Sequence, residues 1–395
     1  MKGLGSFRNG SRRITCPLCF GSFAGREVLF RCQDPRCPQK AVPDLVYQER
    51  IGRTAPPGHV FGLPLSVKGD TPQGAPCDAC RKETRKRLCP LCHFDLAHDA
   101  GLVDDRVIAI IGGRGTGKSH YIVALVNRLE HEVGRNFNFG IHMVGDPTRE
   151  RFENDFRAPL FDRRTVLAKT QSAQVDMKVK TPLVFRLTIE VGGRQRALDL
   201  SFFDTAGEDL RALDIMSTEA RYITSAAAII FLLDPLQMKA VRSQLPNEGL
   251  PMHDPVADPT NIVERLREFF EAESIVSPTE KVQVPIAFTL AKMDALFPII
   301  EAGSLLRRPS EHFGTFVDSE SLSVHNEIRS YLEAWAGPGF PGRVDKGFAR
   351  YRYFGVSSLG RPPSPDGRVE AVSSLRIEEP FLWILHELEL IKGTR

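Results

Sequence analysis

Two patterns of apolar residues alternate along the chain from about residue 106 onward. Short runs rich in β-branched apolar residues predict buried strands, and stretches in which apolar residues recur every three or four positions predict helices. We expect strands to begin near residues 106, 226, 284 and 351. We expect helices over residues 120–133, 261–273, 323–335 and 380–391. This alternation predicts an α/β fold with a doubly wound, mostly parallel sheet that binds ligands at the carboxyl ends of its strands.

The first hundred residues lack this alternation. Residues 41–76 are rich in Pro and Gly, so little of this span can form a helix. All eight cysteines of the chain lie between Cys16 and Cys92. We therefore divide the chain into a small cysteine-containing module, residues 1–103, and a larger α/β domain, residues 104–395.

The cysteines form four closely spaced pairs, which are Cys16 with Cys19, Cys32 with Cys37, Cys77 with Cys80, and Cys89 with Cys92. Two such pairs supply the four thiolates of a tetrahedral Zn²⁺ site, so the module is predicted to hold two zinc ions. The simplest grouping joins the first pair to the second and the third pair to the fourth. The spacing equally allows a cross-braced grouping in which the first and third pairs share one zinc. The metal is expected to be structural, because so short a module has little apolar core of its own.

Composition and charge narrow the range of partners and compartments. With 42% hydrophobic and 26% charged residues among 395, the chain is an ordinary soluble globular protein of two or three domains. It has no apolar run of membrane-spanning length and no signal-peptide core, which favours the cytoplasm. The net charge of +3 is too small to imply a nucleic-acid partner. The basic run 81–87 (RKETRKR) is more typical of a solvated loop or a protein-contact face.

The first chemical motif follows the strand that begins near residue 106. Residues 112–119 read GGRGTGKS and precede an amphipathic stretch, which is the strand, loop and helix context of a phosphate-binding P-loop. Lys118 is expected to reach the β- and γ-phosphates, and the Ser119 hydroxyl is expected to coordinate Mg²⁺. The predicted nucleotide contacts in this segment are Gly112, Gly115, Thr116, Gly117, Lys118, Ser119 and His120.

A second motif, DTAGE, follows a predicted hairpin over residues 181–203. Asp204, at the end of an apolar strand, can hold a water on Mg²⁺. The backbone NH of Gly207 can contact the γ-phosphate, so that the loop responds to whether GTP or GDP is bound. With this motif after the P-loop, the chain resembles P-loop GTPases of the translation-factor and small-GTPase (TRAFAC) class, over about residues 106–395.

That resemblance gives a meaning to residues 289–294, which read TLAKMD. In such GTPases Asn-Lys-x-Asp reads the guanine base, the Asp accepting hydrogen bonds from the base while the Asn steadies neighbouring loops. Lys292 and Asp294 match this pattern, whereas Ala291 stands where the family has Asn. We therefore expect a guanine site that lacks the stabilising contacts of this asparagine to the neighbouring loops. Further along, Ser357, Ser358 and Leu359 lie where the family contacts guanine O6 through backbone NH groups.

Two other departures from the family concern the rate of hydrolysis. Glu208 stands where many relatives have a water-orienting Gln, and Arg114 stands where small GTPases need Gly to admit an arginine finger. We expect slow turnover without a partner, with Lys118, Glu208, Arg114 and Thr170 as the catalytic candidates. Thr170 is chosen over Thr165 and Thr181 as the threonine of switch I that joins Ser119 and Asp204 on Mg²⁺.

Four segments of the sequence are similar to those of the bacterial double-GTPases of type 2. They are IIGGRGTGKSHYIVAL, FFDTAGED, IIFLLDP and AKMD. This resemblance implies paired GTPases of conflict or defence gene clusters, often fused to zinc ribbons. The expected protein is a GTP-hydrolysing switch with GTP or GDP, Mg²⁺ and Zn²⁺ as cofactors, whose zinc ribbons dock a second GTPase or an effector. Three alternatives stay open: a nucleotide-gated scaffold with little turnover, a P-loop ATPase in which K-x-D is accidental, and a nucleic-acid reader.

Overall fold

The computed structural model describes residues 13–52, 54–98, 100–101, 106–113, 115–168, 182–191, 193–202, 217–246, 250–254 and 257–394. The chain divides into two compact units. The first comprises Met1–Arg106 together with Ala197–Asp199, and the second comprises Val107–Arg196 and Leu200–Arg395.

The first unit is built from short strands and one helix around the cysteines. Its strands are β1 (Arg13–Thr15), β2 (Ser22–Ala24), β3 (Leu29–Arg31), β4 (Val60–Gly62), β5 (Ala75–Pro76), β6 (Glu83–Thr84) and β7 (Arg87–Leu88). Strand β3 pairs antiparallel with β4 on one side and with β7 on the other, while β1–β2 and β5–β6 form separate antiparallel pairs. Seven of the eight cysteines belong to the buried core of this unit, with Phe23, Phe30 and Phe61. The thiols thus occupy the place that apolar side chains fill in a larger domain.

Among the residues that the structure describes, the one α-helix of the first unit is α1 (Leu45–Ile51). The Asp44 side chain accepts a hydrogen bond from Tyr47 N and caps the start of the helix, and Gly52, with φ of 73°, ends it. These are the expected residue types at the two ends of a helix.

The second unit contains a seven-stranded sheet with the order β15-β13-β12-β8-β11-β10-β9. These strands are β8 (Val107–Gly112), β9 (Phe139–Met143), β10 (Leu183–Val191), β11 (Arg194–Phe202), β12 (Ala226–Leu233), β13 (Ile286–Leu290) and β15 (Tyr351–Gly355). Strands β8, β12, β13 and β15 run parallel, and β9 pairs antiparallel with β10 at the edge. A separate short pair joins β14 (Phe316–Val317) to β16 (Gly393–Thr394). The predicted mostly parallel α/β sheet is therefore confirmed.

The helices of the second unit are α2 (Lys118–Arg128), α3 (Gly134–Phe137), α4 (Asp146–Arg151), α5 (Ser217–Thr224), α6 (Lys239–Arg242), α7 (Pro259–Ala272), α8 (Asp318–Ala336), α9 (Gly339–Gly347) and α10 (Glu379–Glu387). Segments of π-helix continue α2 over Leu129–Val133 and α4 over Phe152–Asp162. The expected helix 120–133 therefore becomes an α-helix and a segment of π-helix. Helix α8 begins five residues before the predicted start, because its first turn is polar and carries no apolar period.

Candidate metal and nucleotide sites

The eight cysteines form two groups of four in the first unit. One group contains Cys16, Cys19, Cys89 and Cys92, and the other contains Cys32, Cys37, Cys77 and Cys80. Within each group one ligand atom per residue lies within 4.8 Å of every other. The consecutive grouping predicted as simplest is therefore wrong, and so is the cross-braced alternative. The pairs are nested, the first with the fourth and the second with the third.

The strand pairing explains this nesting. Strand β3 pairs antiparallel with β7, with Leu29 opposite Leu88, so the last cysteine pair returns to the first part of the chain. The second and third pairs are joined through His59, because Cys32 N donates to His59 O at 2.8 Å and His59 Nε2 lies 2.7 Å from Asp78 Oδ1, between Cys77 and Cys80. These contacts join residues far apart in sequence, which the spacing of the cysteines does not reveal.

The sulfur positions fit a tetrahedral zinc site. The distance between Sγ atoms is 3.7 Å for Cys16 and Cys92, 3.7 Å for Cys19 and Cys89, and 3.6 Å for Cys32 and Cys80. Four thiolates at the usual Zn–S distance of about 2.3 Å lie about 3.8 Å apart at the corners of a tetrahedron. Both clusters would hold zinc with cysteine sulfur alone, which is the ligand set of a structural site.

Three of the four pairs share one backbone turn. The residue after the second cysteine has positive φ in each: Phe20 at 56°, Arg81 at 64° and His93 at 56°. Its NH donates to the carbonyl of the first cysteine at 2.9 Å in all three turns. In the last turn Leu91 N also donates to Cys89 Sγ at 3.3 Å. An NH directed at a thiolate stabilises its negative charge, so the turn is prepared for a cation.

The nucleotide-site candidates lie at one edge of the main sheet, at the ends of four neighbouring parallel strands. Gly112 is the register partner of Leu232, and Leu290 is the register partner of both Leu233 and Gly355. The segments that follow these strands start at the same level. They are the glycine-rich loop after β8, Asp234 after β12, the AKMD segment after β13 and the SSL segment after β15.

The loop after β8 has the backbone that its glycines predict. Gly115 and Gly117 have φ of 73° and 91°, and Gly117 is the residue before α2. A Cβ added at Gly117 would meet no atom within 4 Å, so glycine is required there by its backbone angle and not by space. At Gly112 the limit is space, because a Cβ would lie 2.7 Å from Leu232 O.

Lys118 is buried, with 7% of its surface exposed. Its Nζ donates to Gly112 O at 2.8 Å and to Gly113 O at 3.3 Å, and Thr116 Oγ1 donates to Gly113 O at 2.9 Å. The loop carbonyls thus hold the ammonium beside the backbone turn. Arg114 lies outside the described residues, and Ser119 lies in the first turn of α2, which begins two residues before the predicted start of this helix.

The base-side candidates are joined by a direct hydrogen bond. Ser357 Oγ donates to Asp294 Oδ1 at 2.5 Å and accepts from Gly360 N at 2.8 Å. Burial raises the pKa of the Asp294 carboxyl, although the Ser357 hydroxyl and Lys292 favour its ionised form. Lys292 Nζ lies 2.6 Å from Asp234 Oδ2, an acid that was not among the predicted site residues.

The SSL segment starts a loop that returns along itself. Ser357 and Leu375 exchange two backbone hydrogen bonds, with Ser357 N donating at 3.0 Å, so this NH is already used. Ser374 Oγ donates to Ser358 O at 2.8 Å, and Ser373 N donates to Leu359 O at 3.0 Å. The backbone NH groups of Ser358 and Leu359 are thus the candidates for guanine O6.

The tip of this loop pairs with the segment that precedes the predicted switch I. Val166 N donates to Gly367 O at 2.9 Å, and Val369 N donates to Arg164 O at 2.8 Å. The same segment contacts α2, because Leu167 N donates to Nε2 of His120 at 3.1 Å. His120, predicted as a nucleotide contact, thus lies against the chain that leads towards Thr170.

Comparison with known proteins agrees with this arrangement of motifs. Residues 106–336 match the family described as Double-GTPase 2. The chain belongs to this family. The predicted recognition as a P-loop GTPase with zinc ribbons is therefore confirmed. A Double-GTPase 2 protein is expected to bind GTP, so the ATPase alternative loses its support.

One relative of this Double-GTPase 2 protein is SaeC of Mycolicibacterium smegmatis, whose proposed role is ESX-1 scaffolding and assembly. The two sequences are 26% identical over 395 positions, which cover 93% of this chain and 97% of SaeC. The similarity therefore includes the cysteine-containing part as well as the GTPase domain.

Other predicted site residues of the Double-GTPase 2 protein lie outside the described residues. They are Arg114, Thr170, Asp204, Gly207 and Glu208. Sequence reasoning missed Asp234. Its signal was its place directly after the buried run 226–233, at the sheet edge where ligands bind.

The basic run 81–87 is not a free positive stripe. The Arg87 guanidinium is buried and donates to the carbonyls of Ala97, His98 and Ala100, and Lys86 Nζ lies 2.7 Å from Asp95 Oδ2. Two of the five basic residues of this run therefore support the fold of the cysteine-containing unit. Among the helices that the structure describes, none is both long and apolar enough to cross a bilayer.

Proposed function

We propose that this protein is a GTP-dependent molecular switch that binds Mg·GTP at the carboxyl edge of its parallel sheet and hydrolyses it slowly without a partner. The observation that carries the proposal is the register of four strand ends. The Lys118 loop, the Lys292–Asp294 segment and Ser357 follow three of these strand ends and therefore lie along one edge of the sheet. Guanine offers two NH donors to the Asp294 carboxylate, whereas adenine offers a lone pair, so an unpaired buried acid disfavours adenine.

The catalytic roles follow from the motif positions. Lys118 neutralises charge on the β- and γ-phosphates. Mg²⁺, when bound, neutralises phosphate charge, and Ser119, Thr170 and Asp204 are its candidate ligands. Gly207 contacts the γ-phosphate through its backbone NH. Glu208 in place of a Gln, and Arg114 in the P-loop, are the reasons to expect slow turnover with an unusual activation route.

The cysteine-containing module, residues 1–103, is the proposed docking site for a protein partner, a second GTPase or an effector. The similarity to SaeC favours a role in assembling a protein complex over a role in conflict or defence. It also gives weight to a second candidate function, a nucleotide-gated scaffold that binds GTP with little turnover. We place the protein in the cytoplasm, where GTP and reduced thiols are available.

Nucleotide selectivity tests the proposal. The purified protein is titrated with fluorescent GDP and ADP in Mg²⁺, and Asp294→Asn is titrated with GDP and with xanthine nucleotide. We expect tight GDP binding, weak ADP binding, and a change of preference to xanthine in the variant. Asp258→Asn, which changes an acid at the start of α7, is the matched control and should retain the wild-type preference. Equal GDP and ADP binding, unchanged in Asp294→Asn, would overturn the proposal.

Phosphate release separates the two candidate functions. A switch releases phosphate from GTP in a single-turnover assay, and Lys118→Ala abolishes the release. A scaffold binds GTP with the same selectivity but releases phosphate no faster than GTP in buffer.

A further inference from the structure

The base-reading segment lacks the asparagine of its family, and the neighbouring strand carries an acid at the adjacent position. Strands β12 and β13 are parallel, with Leu233 the register partner of Leu290. The next residues are Asp234 on one strand and Ala291 on the other. Ala291 N donates to Leu233 O at 2.9 Å, which holds these two strand ends together.

Asp234 is fully buried and faces Lys292. Its Oδ2 lies 2.6 Å from Lys292 Nζ, and its Oδ1 accepts from Leu236 N at 3.0 Å. Gln237 Nε2 lies 3.5 Å from the same Oδ2, and Gln237 Oε1 accepts from Asp254 N at 2.8 Å. A buried carboxylate needs charged or polar partners, and Lys292 is the cation that supplies this charge.

The ion pair also restricts the side chain of Lys292. Its φ is 57°, in the left-handed region that non-glycine residues rarely adopt, and its side chain remains 29% exposed. The ion pair fixes the Lys292 ammonium at the strand ends, and this restricts the conformations of the four-carbon chain that carries it. A stem fixed before the base arrives loses less entropy on binding.

We propose that Asp234 is the positioning residue of the base site, and that it holds Lys292 against the guanine plane in place of the missing asparagine. In the family the stabilising asparagine follows β13, whereas here the stabilising acid, Asp234, follows β12. This inference rests on the proposed guanine binding. It adds a residue that determines how tightly the base is held.

Asp234→Asn tests the inference with little change of shape. Asparagine still accepts from Leu236 N, so the turn after β12 keeps its cap, but it gives Lys292 no charge. We expect GDP to bind about tenfold more weakly because Lys292 is no longer oriented. Asp258→Asn, at an acid whose carboxylate likewise accepts from the backbone NH two residues further on, that of Thr260, should leave GDP affinity within twofold of wild type.

Two further measurements separate positioning from a general loss of structure. In Lys292→Met, adding Asp234→Asn should weaken GDP binding no further, because the residue through which Asp234 acts is already removed. In the nucleotide-free protein, Lys292 of Asp234→Asn should react several-fold faster with an amine-acylating reagent, as measured by mass spectrometry. The second readout does not depend on the Lys292 variant.

The outcomes distinguish this inference from the proposed function. If the wild type fails to prefer GDP to ADP, the guanine site itself is wrong. If the wild type prefers GDP but Asp234→Asn binds it equally well, or if acylation of Lys292 is unchanged, the guanine site stands and the positioning role of Asp234 is overturned.

Discussion

Nη2 of Arg31 lies 2.7 Å from Oδ2 of Asp44, and both side chains are almost fully buried. The other oxygen of Asp44 lies 2.7 Å from His93 Nδ1. Arg31 precedes Cys32 of one cysteine cluster, and His93 follows Cys92 of the other. One carboxylate therefore connects the chain neighbours of ligands in both clusters, which makes the two predicted zinc sites parts of one folding unit.

Removing this carboxylate should weaken both clusters together. Asp44→Ala leaves the Arg31 guanidinium buried without its partner and removes the cap of α1, at an expected cost of about 3–5 kcal/mol. Zinc release into a chromophoric chelator should accelerate for both ions. Asp70→Ala, at an exposed position of the same unit, should release zinc at the wild-type rate. Release of a single faster ion would contradict the link between the sites.

The nested cysteine pairing makes a prediction that counts metal ions. A double substitution within one cluster, Cys16→Ser with Cys89→Ser, should leave one zinc per chain. A double substitution across the clusters, Cys16→Ser with Cys32→Ser, should leave none, because each site then lacks a thiolate. Elemental analysis of the purified variants gives the count. Consecutive pairing would give the opposite result, and His98→Ala should retain both ions.

Two glycines of the second unit should respond in opposite directions to the same substitution. Gly117→Ala forces a Cβ into a backbone with φ of 91° and should destabilise by about 1–2 kcal/mol. Gly342 lies within α9, and a Cβ there meets nothing within 4 Å, so Gly342→Ala should stabilise by about 0.5–1 kcal/mol.

Urea unfolding followed by tryptophan fluorescence checks both glycine variants, because both tryptophans, Trp335 and Trp383, belong to the second unit. Gly117→Ala should also lose nucleotide affinity, since the loop carries the phosphate contacts, whereas Gly342→Ala should not. Equal stability of the two variants would argue against the described loop backbone.

The stability of the second unit should decrease as the pH is lowered, partly because His325 becomes protonated. Burial, helped by the positive charges of Arg352 and Arg329 and opposed by Asp345, lowers the pKa of His325 to about 4 from its ordinary 6.5. Between these values the unfolded chain binds a proton that the folded chain does not, so stability is lost as pH falls from about 6.5 to about 4. After allowance for the partial exposure of the ring, the loss is about 1–2 kcal/mol.

His325→Gln isolates this contribution. Glutamine has an oxygen that can accept the hydrogen bond His325 Nδ1 receives from Tyr353 N at 3.0 Å, but it does not titrate. Urea unfolding at pH 7 and pH 4.5 should therefore show a smaller loss in the variant than in the wild type. Equal losses would mean that His325 titrates normally in the folded protein.

The sequence by itself determined the parallel α/β sheet, the P-loop and the AKMD and SSL segments. Each of these depends on residues close together along the chain. A continuous apolar run identifies a buried strand such as Ala226–Leu233, and glycine spacing identifies a loop that needs positive φ, as at Gly115 and Gly117. The place of Asp294 and Ser357 at one sheet edge followed from their order after the P-loop, because the carboxyl ends of parallel strands meet at one edge.

Only the tertiary structure decided which cysteine pairs share a metal and which acid faces Lys292. Both depend on register between strands that are distant in sequence. A pair such as Cys16–Cys19 has the same local spacing whichever partner it meets, and the β3–β7 contact selects the partner. Asp234 lies beside Ala291 because Leu233 aligns with Leu290, and a shift of one residue would move that acid to the other face of the sheet.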